Sequence, residues 1–235
     1  MQGRVIQSTG SWYEVILENG AIISCRLKGK FRLEDSKLTN PIAVGDRVTV
    51  DADTDGASVI TEIHKRKNYI IRAATHKSGY KHVIASNVDQ VIVIATLKQP
   101  RTSTGFIDRV LLTAEVYGIP AYVVFNKLDI YTIKEREEME ELAFTYNEIG
   151  YTSFPTSVID KRNVFRLKEI MQEKISLLSG HSGVGKSSLI NAMEPALHLR
   201  VANISKAHNK GTHTTTFARM HALSFGGYII DTPGI

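Results

Sequence analysis

The run Gly180-His181-Ser182-Gly183-Val184-Gly185-Lys186-Ser187 sets Gly, four residues, and then Gly-Lys-Ser, the spacing of a loop that cradles phosphate. Its glycines let the backbone turn N–H groups inward on phosphate oxygens, and a helix starting there adds the positive end of its dipole. Lys186 supplies a point charge and Ser187 a hydroxyl for Mg²⁺. An apolar run at 175–178 is long enough for a strand before the loop, and residues 188–193, led by Ser188, read as a helix stopped by Pro195. This chemistry is nucleoside triphosphate binding, and alone it does not choose between ATP and GTP or between a kinase and a motor.

Asn126-Lys127-Leu128-Asp129 makes the choice. The carboxylate of Asp129 can accept paired N–H bonds from guanine N1 and N2, whereas adenine offers no such pair and would leave it unmatched. Lys127 can lay its methylene stem on the base, and Asn126 can brace the neighbouring loops. Asp231-Thr232-Pro233-Gly234, at the end of a strand-like run, offers Asp231 to a Mg²⁺-bound water and the Gly234 N–H to a γ-phosphate. Thr156-Ser157-Val158 reads as a further base-contacting loop, with Ser157 and Val158 beside the nucleotide. Together these motifs predict GTP or GDP with Mg²⁺.

The elements that must position them alternate. A continuous β-branched run at 90–95 is followed by Phe106, Ile107, Val110, Leu111 and Ala114 at helical spacing, closed by Gly118 and Pro120. A second buried strand at 121–125 ends in Asn126. The next helix opens with a capping box, Thr132 and Glu135, and carries an apolar face at Met139, Leu142, Tyr146 and Ile149. A strand at 152–154, a helix from about Asp160 with Leu167, Ile170 and Met171, and the phosphate loop follow. Residues 202–216 read as a polar functional loop, and strands at 217–225 and 228–231 meet at Gly226-Gly227. This is an α/β fold with a mostly parallel sheet. Its motifs run in a permuted order, because the base-reading segments precede the phosphate loop.

Before it, residues 1–72 predict a small all-β barrel with strands at 5–6, 12–17, 21–27, 47–51 and 59–64 and turns at Asn19-Gly20 and 53–56. An OB-like barrel that binds RNA is the first reading, and an SH3-like barrel competes with it. Arg26, Lys28, Lys30 and Arg32, then His64-Lys65-Arg66-Lys67, with Phe31 and Tyr69 interleaved, suit RNA contact. Residues 73–86 are expected to be a linker, and residues 87–235 the α/β domain.

Over 235 residues the chain is 43% hydrophobic and 23% charged with a net charge of +5, which leans toward an acidic partner. No apolar run approaches the ~20 residues of a membrane span, and the N-terminus lacks a signal peptide's apolar core, so a cytoplasmic location without membrane attachment is expected. The single cysteine, Cys25, excludes an internal disulfide and a cysteine-rich zinc cluster.

With these motifs the chain closely resembles the ribosome small-subunit-dependent GTPase A family, RsgA, over its whole length. Carrying the likeness are the barrel, the permuted α/β domain, residues 180–189, Gly211-Thr212-His213-Thr214-Thr215-Thr216 and residues 231–234. The resemblance implies a late maturation factor that binds the small ribosomal subunit and its rRNA and hydrolyses GTP under that subunit's stimulation. By position, Lys186 would hold the β- and γ-phosphates and serve catalysis, Ser187 and Thr215 would ligate Mg²⁺, and Asp231 would lie in its outer shell. Spacing does not separate Thr215 from Thr214 or Thr216. A monomer is expected. Family members continue into a C-terminal zinc domain, so the chain is expected to be a fragment, with zinc only in the part it lacks. Other permuted GTPases do not account for the barrel; a plain RNA-binding module does not account for the nucleotide motifs; a P-loop kinase has no use for residues 126–129.

Where many GTPases carry a water-orienting Gln, this chain has Ile235, which cannot orient water. A slow intrinsic rate and a catalytic group from elsewhere are expected. His213 stands one residue before the Thr triplet, and a neutral imidazole there can accept a hydrogen bond from the attacking water. His213→Ala is therefore expected to keep nucleotide and subunit binding while losing most of the subunit-stimulated turnover. Full stimulated turnover in that variant would assign the water to another group.

Overall fold

The computed structural model describes residues 1–28, 41–52, 58–73, 81–199 and 218–231. Residues up to Val88 belong to one compact unit and most of those from Asp89 onward to a second. In the first, β1 (Gln2–Ser8), β2 (Tyr13–Leu17), β3 (Ile22–Leu27), β4 (Arg47–Ala52) and β5 (Ser58–Ile63) pair in the order β1-β2-β3-β5-β4, and β4 returns to β1. Only β3 with β5 is parallel among these pairs. This closed circuit is an OB-like barrel, and the SH3-like alternative falls. In β2 the alternate residues Tyr13, Val15 and Leu17 turn inward, as the two-residue period of a strand requires. They meet Val5, Cys25, Val48, Val50 and Ile60 in the barrel core, where burial pushes the Cys25 thiol up to about 11. Between β2 and β3, Gly20 takes a positive φ of 84° and Asn19 Oδ1 accepts the Ala21 N–H at 3.0 Å, the local turn chemistry of Asn-Gly. The turn expected at 53–56, and Lys30, Phe31 and Arg32, lie outside the described residues.

The expected linker is corrected in part. β6 (Tyr69–Ala73) and β7 (Lys81–Ser86) form an antiparallel hairpin, and Val83, Ile84 and Ala85 are buried. Three apolar residues are too few to show a period, and the polar and basic residues before them dominate the composition. Within the basic run at 64–67 the expectation is corrected for one residue, since Arg66 faces inward. Its guanidinium grips the fully buried Asp46 with Nε–Oδ1 and Nη2–Oδ2 both at 2.7 Å, while the Ser86 hydroxyl and Ala43 N–H donate to the same carboxylate at 2.6 and 2.8 Å.

The second unit runs β8 (Gln90–Ala95), α1 (Thr104–Val116), β9 (Ala121–Phe125), α2 (Ile133–Glu148), β10 (Ser153–Pro155), α3 (Val164–Met171), β11 (Ile175–Ser179) and α4 (Lys186–Met193). Later in the chain, β12 (Arg219–Ala222) belongs mostly to the first unit and β13 (Tyr228–Asp231) is divided between the two. Sheet order is β10-β9-β8-β11-β13, with β10–β9, β9–β8 and β8–β11 parallel. Every residue of β8 is buried, as expected of a continuous apolar run covered on both faces. The capping box of Thr132 and Glu135 opens α2. The Lys98 ammonium and then the Thr132 N–H and hydroxyl hold the Glu135 carboxyl down to about 2.

Two helix boundaries differ from expectation. α3 starts at Val164 instead of near 160, because Ser157 and Arg162 bridge and Asn163, at φ 53°, turns the chain just before the helix. Ile149 caps α2 beyond its last turn and is 62% exposed, so it leaves the apolar face that Met139, Ala143 and Tyr146 bury. Val184, Leu189, Ile190 and Met193 pack with Ile92, Ile94, Val124 and Phe154 in one core cluster, which seats the start of α4 on the sheet.

Removing one partner of a buried ion pair leaves the other charge uncompensated, so Asp46→Ala is expected to cost about 3 kcal/mol. Urea denaturation measures it; a loss below about 1 kcal/mol would mean that Arg66 regains solvent without the carboxylate.

Candidate nucleotide-binding site

The phosphate loop joins β11 to α4. Gly180, Gly183 and Gly185 hold φ of 151°, 85° and 93°, conformations that L side chains rarely adopt. At two of them space is also closed: a Cβ on Gly180 would strike the Ile94 carbonyl and one on Gly185 the Asn126 amide. Lys186 opens α4, with Ser187 and Ser188 half-buried in its first turn and Ser182 exposed on the loop. The Lys186 Nζ donates to the Gly180 and His181 carbonyls at 2.5 and 3.0 Å, so the ammonium lies against the loop. The His181 ring rests on Phe106 with centroids 4.1 Å apart, and burial, then Lys186 and Arg109, lower its pKa. That keeps the imidazole neutral near pH 7.

Asn126 follows β9 and is buried. Its Nδ2 donates to the Val184 carbonyl at 2.9 Å, and its Oδ1 accepts the Thr156 hydroxyl at 3.0 Å. One side chain thus joins the segment 126–129 to the phosphate loop and to the loop after β10. Lys127 has a left-handed backbone, φ 65° and ψ 37°, costing roughly 1–2 kcal/mol for a residue with a Cβ. Its ammonium donates to the Gln99 and Gly183 carbonyls at 2.5 and 2.7 Å, which fixes the strained residue from its far end. Desolvation lowers its pKa, against the opposing pull of Asp129. Asp129 Oδ1 accepts the Ser157 hydroxyl at 2.8 Å, and the Ser157 oxygen in turn accepts the Asp160 N–H at 3.1 Å. Val158 instead packs its side chain on the core, and its carbonyl accepts the Lys161 N–H at 3.4 Å.

Residues 126–129, 156–158 and 180–188 are therefore brought together. Asp231 ends β13, while His213, Thr215 and Gly234 lie outside the described residues. Sequence reasoning missed Gln99, which serves through a backbone carbonyl and so leaves no residue signature, and it did not use the Thr156 side chain. Among the described residues no three His, Cys, Asp or Glu side chains converge on a metal position. The Ser187 hydroxyl, half-buried in the first turn of α4, is the type of lone protein oxygen that a Mg²⁺ ion keeping most of its waters would take beside substrate phosphates.

The RsgA GTPase family profile matches residues 63–235 and the RsgA N-terminal domain profile residues 2–60. The chain belongs to the RsgA GTPase family. It is 47% identical over 235 residues to the small ribosomal subunit biogenesis GTPase RsgA of Bacteroides fragilis, covering 100% of this chain and 76% of that protein. The crystal structure of YjeQ from Thermotoga maritima superposes with a TM-score of 0.76 at 37% identity, over 99% of this chain and 74% of the other. That of YloQ, a circularly permuted GTPase, does so at 0.68 and 29%, over 99% and 71%. As an RsgA GTPase the chain hydrolyses GTP on a permuted α/β domain that follows an OB-like barrel.

If Asp129 accepts guanine's two donors, as its position in the sequence motif predicts, Asp129→Asn puts in its place an amide, which can donate to the oxo group of xanthine. GTP affinity is expected to fall by roughly 100-fold, as two charge-assisted bonds warrant, and xanthosine triphosphate to be preferred. Competition binding checks it; an unchanged preference for GTP removes Asp129 from base reading.

Proposed function

We propose that this RsgA GTPase acts on the small ribosomal subunit, binding GTP through residues 126–129, 156–158 and 180–188 and using its barrel on rRNA. The observation that carries the nucleotide half is the buried Asn126 amide, which spans the phosphate loop and the Thr156 loop at once. In this reading Asn126, Lys127, Asp129 and Ser157 enclose guanine, with Val158 beside them through its backbone alone, and residues 180–185, with Ser188 in the first helical turn, surround the phosphates. Lys186 neutralises charge on the β- and γ-phosphates. Ser187 and Thr215 would hold Mg²⁺, with Asp231 reaching it through water; the ion would supply positive charge to the phosphates. Gly234 would meet the γ-phosphate and His213 orient the attacking water, so that the γ-phosphoryl group passes to water and GDP departs.

The partner half is supported by the name of the Bacteroides fragilis relative and by the barrel surface. Trp12 is 40% exposed, and the Arg26 guanidinium lies over its ring, 4.2 Å from the centroid, with exposed Lys28 close in sequence. A flat ring backed by cations suits unpaired bases and phosphates. Among the described residues no helix is long and apolar enough to cross a membrane. A monomer acting in the cytoplasm completes the reading.

GTP turnover with and without purified small subunits tests it: slow alone, strongly accelerated by subunits, and unaffected by ATP in competition. Arg26→Ala with Lys28→Ala should flatten the dependence of log affinity on log salt by ~1 for each phosphate that the double variant no longer neutralises. No acceleration by subunits would remove them as the partner.

A further inference from the structure

Tyr131 stands just after the turn Leu128–Ile130 and is buried, yet its hydroxyl is engaged twice. It donates to the Asn126 carbonyl at 2.7 Å and accepts the Leu97 N–H at 2.8 Å. A phenol joins the backbone of the guanine-reading segment to the start of the segment 97–101. That second segment is held from several directions. Thr96 and Thr102 close its base, the Thr96 N–H donating to Thr102 Oγ1 at 3.1 Å and the Thr102 N–H to the Thr96 carbonyl at 2.7 Å. Lys98 pairs with Glu135 at 2.6 Å and Arg101 with Glu138 at 2.5 Å, both partners lying on α2. What the segment presents is the Gln99 carbonyl, which receives the Lys127 ammonium.

We propose that Tyr131 is a positioning residue for guanine recognition, its hydroxyl locking the backbone of Asn126 to the 97–101 segment so that Lys127 and Asp129 stand in fixed places. The proposal rests on the reading of residues 126–129 as the guanine reader. A phenylalanine would fill the same space but leave a buried N–H and a buried carbonyl short of a partner. Burial pushes the phenol up to about 12, so it remains protonated and both bonds persist through the working pH range. The left-handed Lys127 explains the need for a lock: a strained residue keeps its conformation only where its surroundings over-determine it. Tyr131 works through Asn126 and Leu97, with no contact to the nucleotide required of it.

The test compares GDP and IDP, which lacks the 2-amino group, on Tyr131→Phe, on Asp129→Asn and on Lys98→Ala combined with Arg101→Ala. Tyr131→Phe is expected to weaken GDP about tenfold and to narrow the GDP-to-IDP affinity ratio, because a displaced Asp129 loses its bond to the 2-amino group while IDP has none to lose. A merely structural tyrosine would lower the melting temperature and leave that ratio alone. If Asp129→Asn keeps the guanine preference, the reading of the site falls and the proposal with it. If Asp129→Asn shifts the preference but Tyr131→Phe changes neither GDP affinity nor the ratio, the proposal alone is overturned. Should Tyr131→Phe fail to fold, the Lys98 and Arg101 double variant, which breaks only the two ion pairs to α2, decides: a narrowed ratio supports the lock and an unchanged ratio overturns it.

Discussion

The arrangement proposed to hold the nucleotide depends on one buried amide. Asn126 sits where water does not reach, so an unmatched donor or acceptor there would be costly, and both ends of its side chain are matched by separate loops. Its Nδ2 stands so close to Gly185 that a side chain at that position would collide with it. Glycine in the phosphate loop and asparagine after β9 are thus one steric arrangement. Lys127 continues it by bonding the Gly183 carbonyl, which fastens the loop at a second point. The shape of the phosphate cradle is accordingly set as much by residues 126 and 127 as by its own glycines.

This mutual bracing explains why a permuted chain can keep the site. Hydrogen bonds between Asn126 and Val184, or Ser157 and Asp129, depend on where β9, β10 and β11 stand in the sheet. They do not depend on which strand is made first. The parallel register of β8 with both β9 and β11 brings the carboxyl ends of these strands to one edge, where open α/β sheets gather their ligand-binding loops. Moving the chain ends to another loop leaves that edge intact.

The barrel unit is fixed by a different kind of contact. Asp46 is fully buried and takes four bonds from Arg66, Ser86 and Ala43. Such a pair repays its desolvation only with this density of partners, and in return it fixes where the β6–β7 hairpin meets the barrel. The basic residues therefore have separate roles, since Arg66 is structural whereas Arg26 remains on the surface over Trp12.

Much was legible in the residues themselves. The phosphate loop, the capping box of α2, the buried run of β8 and the Asn19-Gly20 turn each follow from local rules of spacing and backbone preference, which need no knowledge of distant neighbours. The segments proposed to read the base stand out in the sequence because their side-chain types carry the chemistry that such reading requires. Hidden from the sequence were the strand at Lys81–Ser86, the inward turn of Arg66 and the late start of α3, each set by packing or by a bridge to another segment. Within the site the Gln99 carbonyl and the double role of Tyr131 were equally hidden. A backbone carbonyl is the same in every residue, and a tyrosine in a turn looks like any other until the fold places two buried backbone groups within reach of its hydroxyl. The sequence by itself determined which groups could bind a guanine nucleotide; the tertiary structure decided which uncharged partners hold them still, because those partners are chosen by proximity and burial and carry no residue pattern of their own.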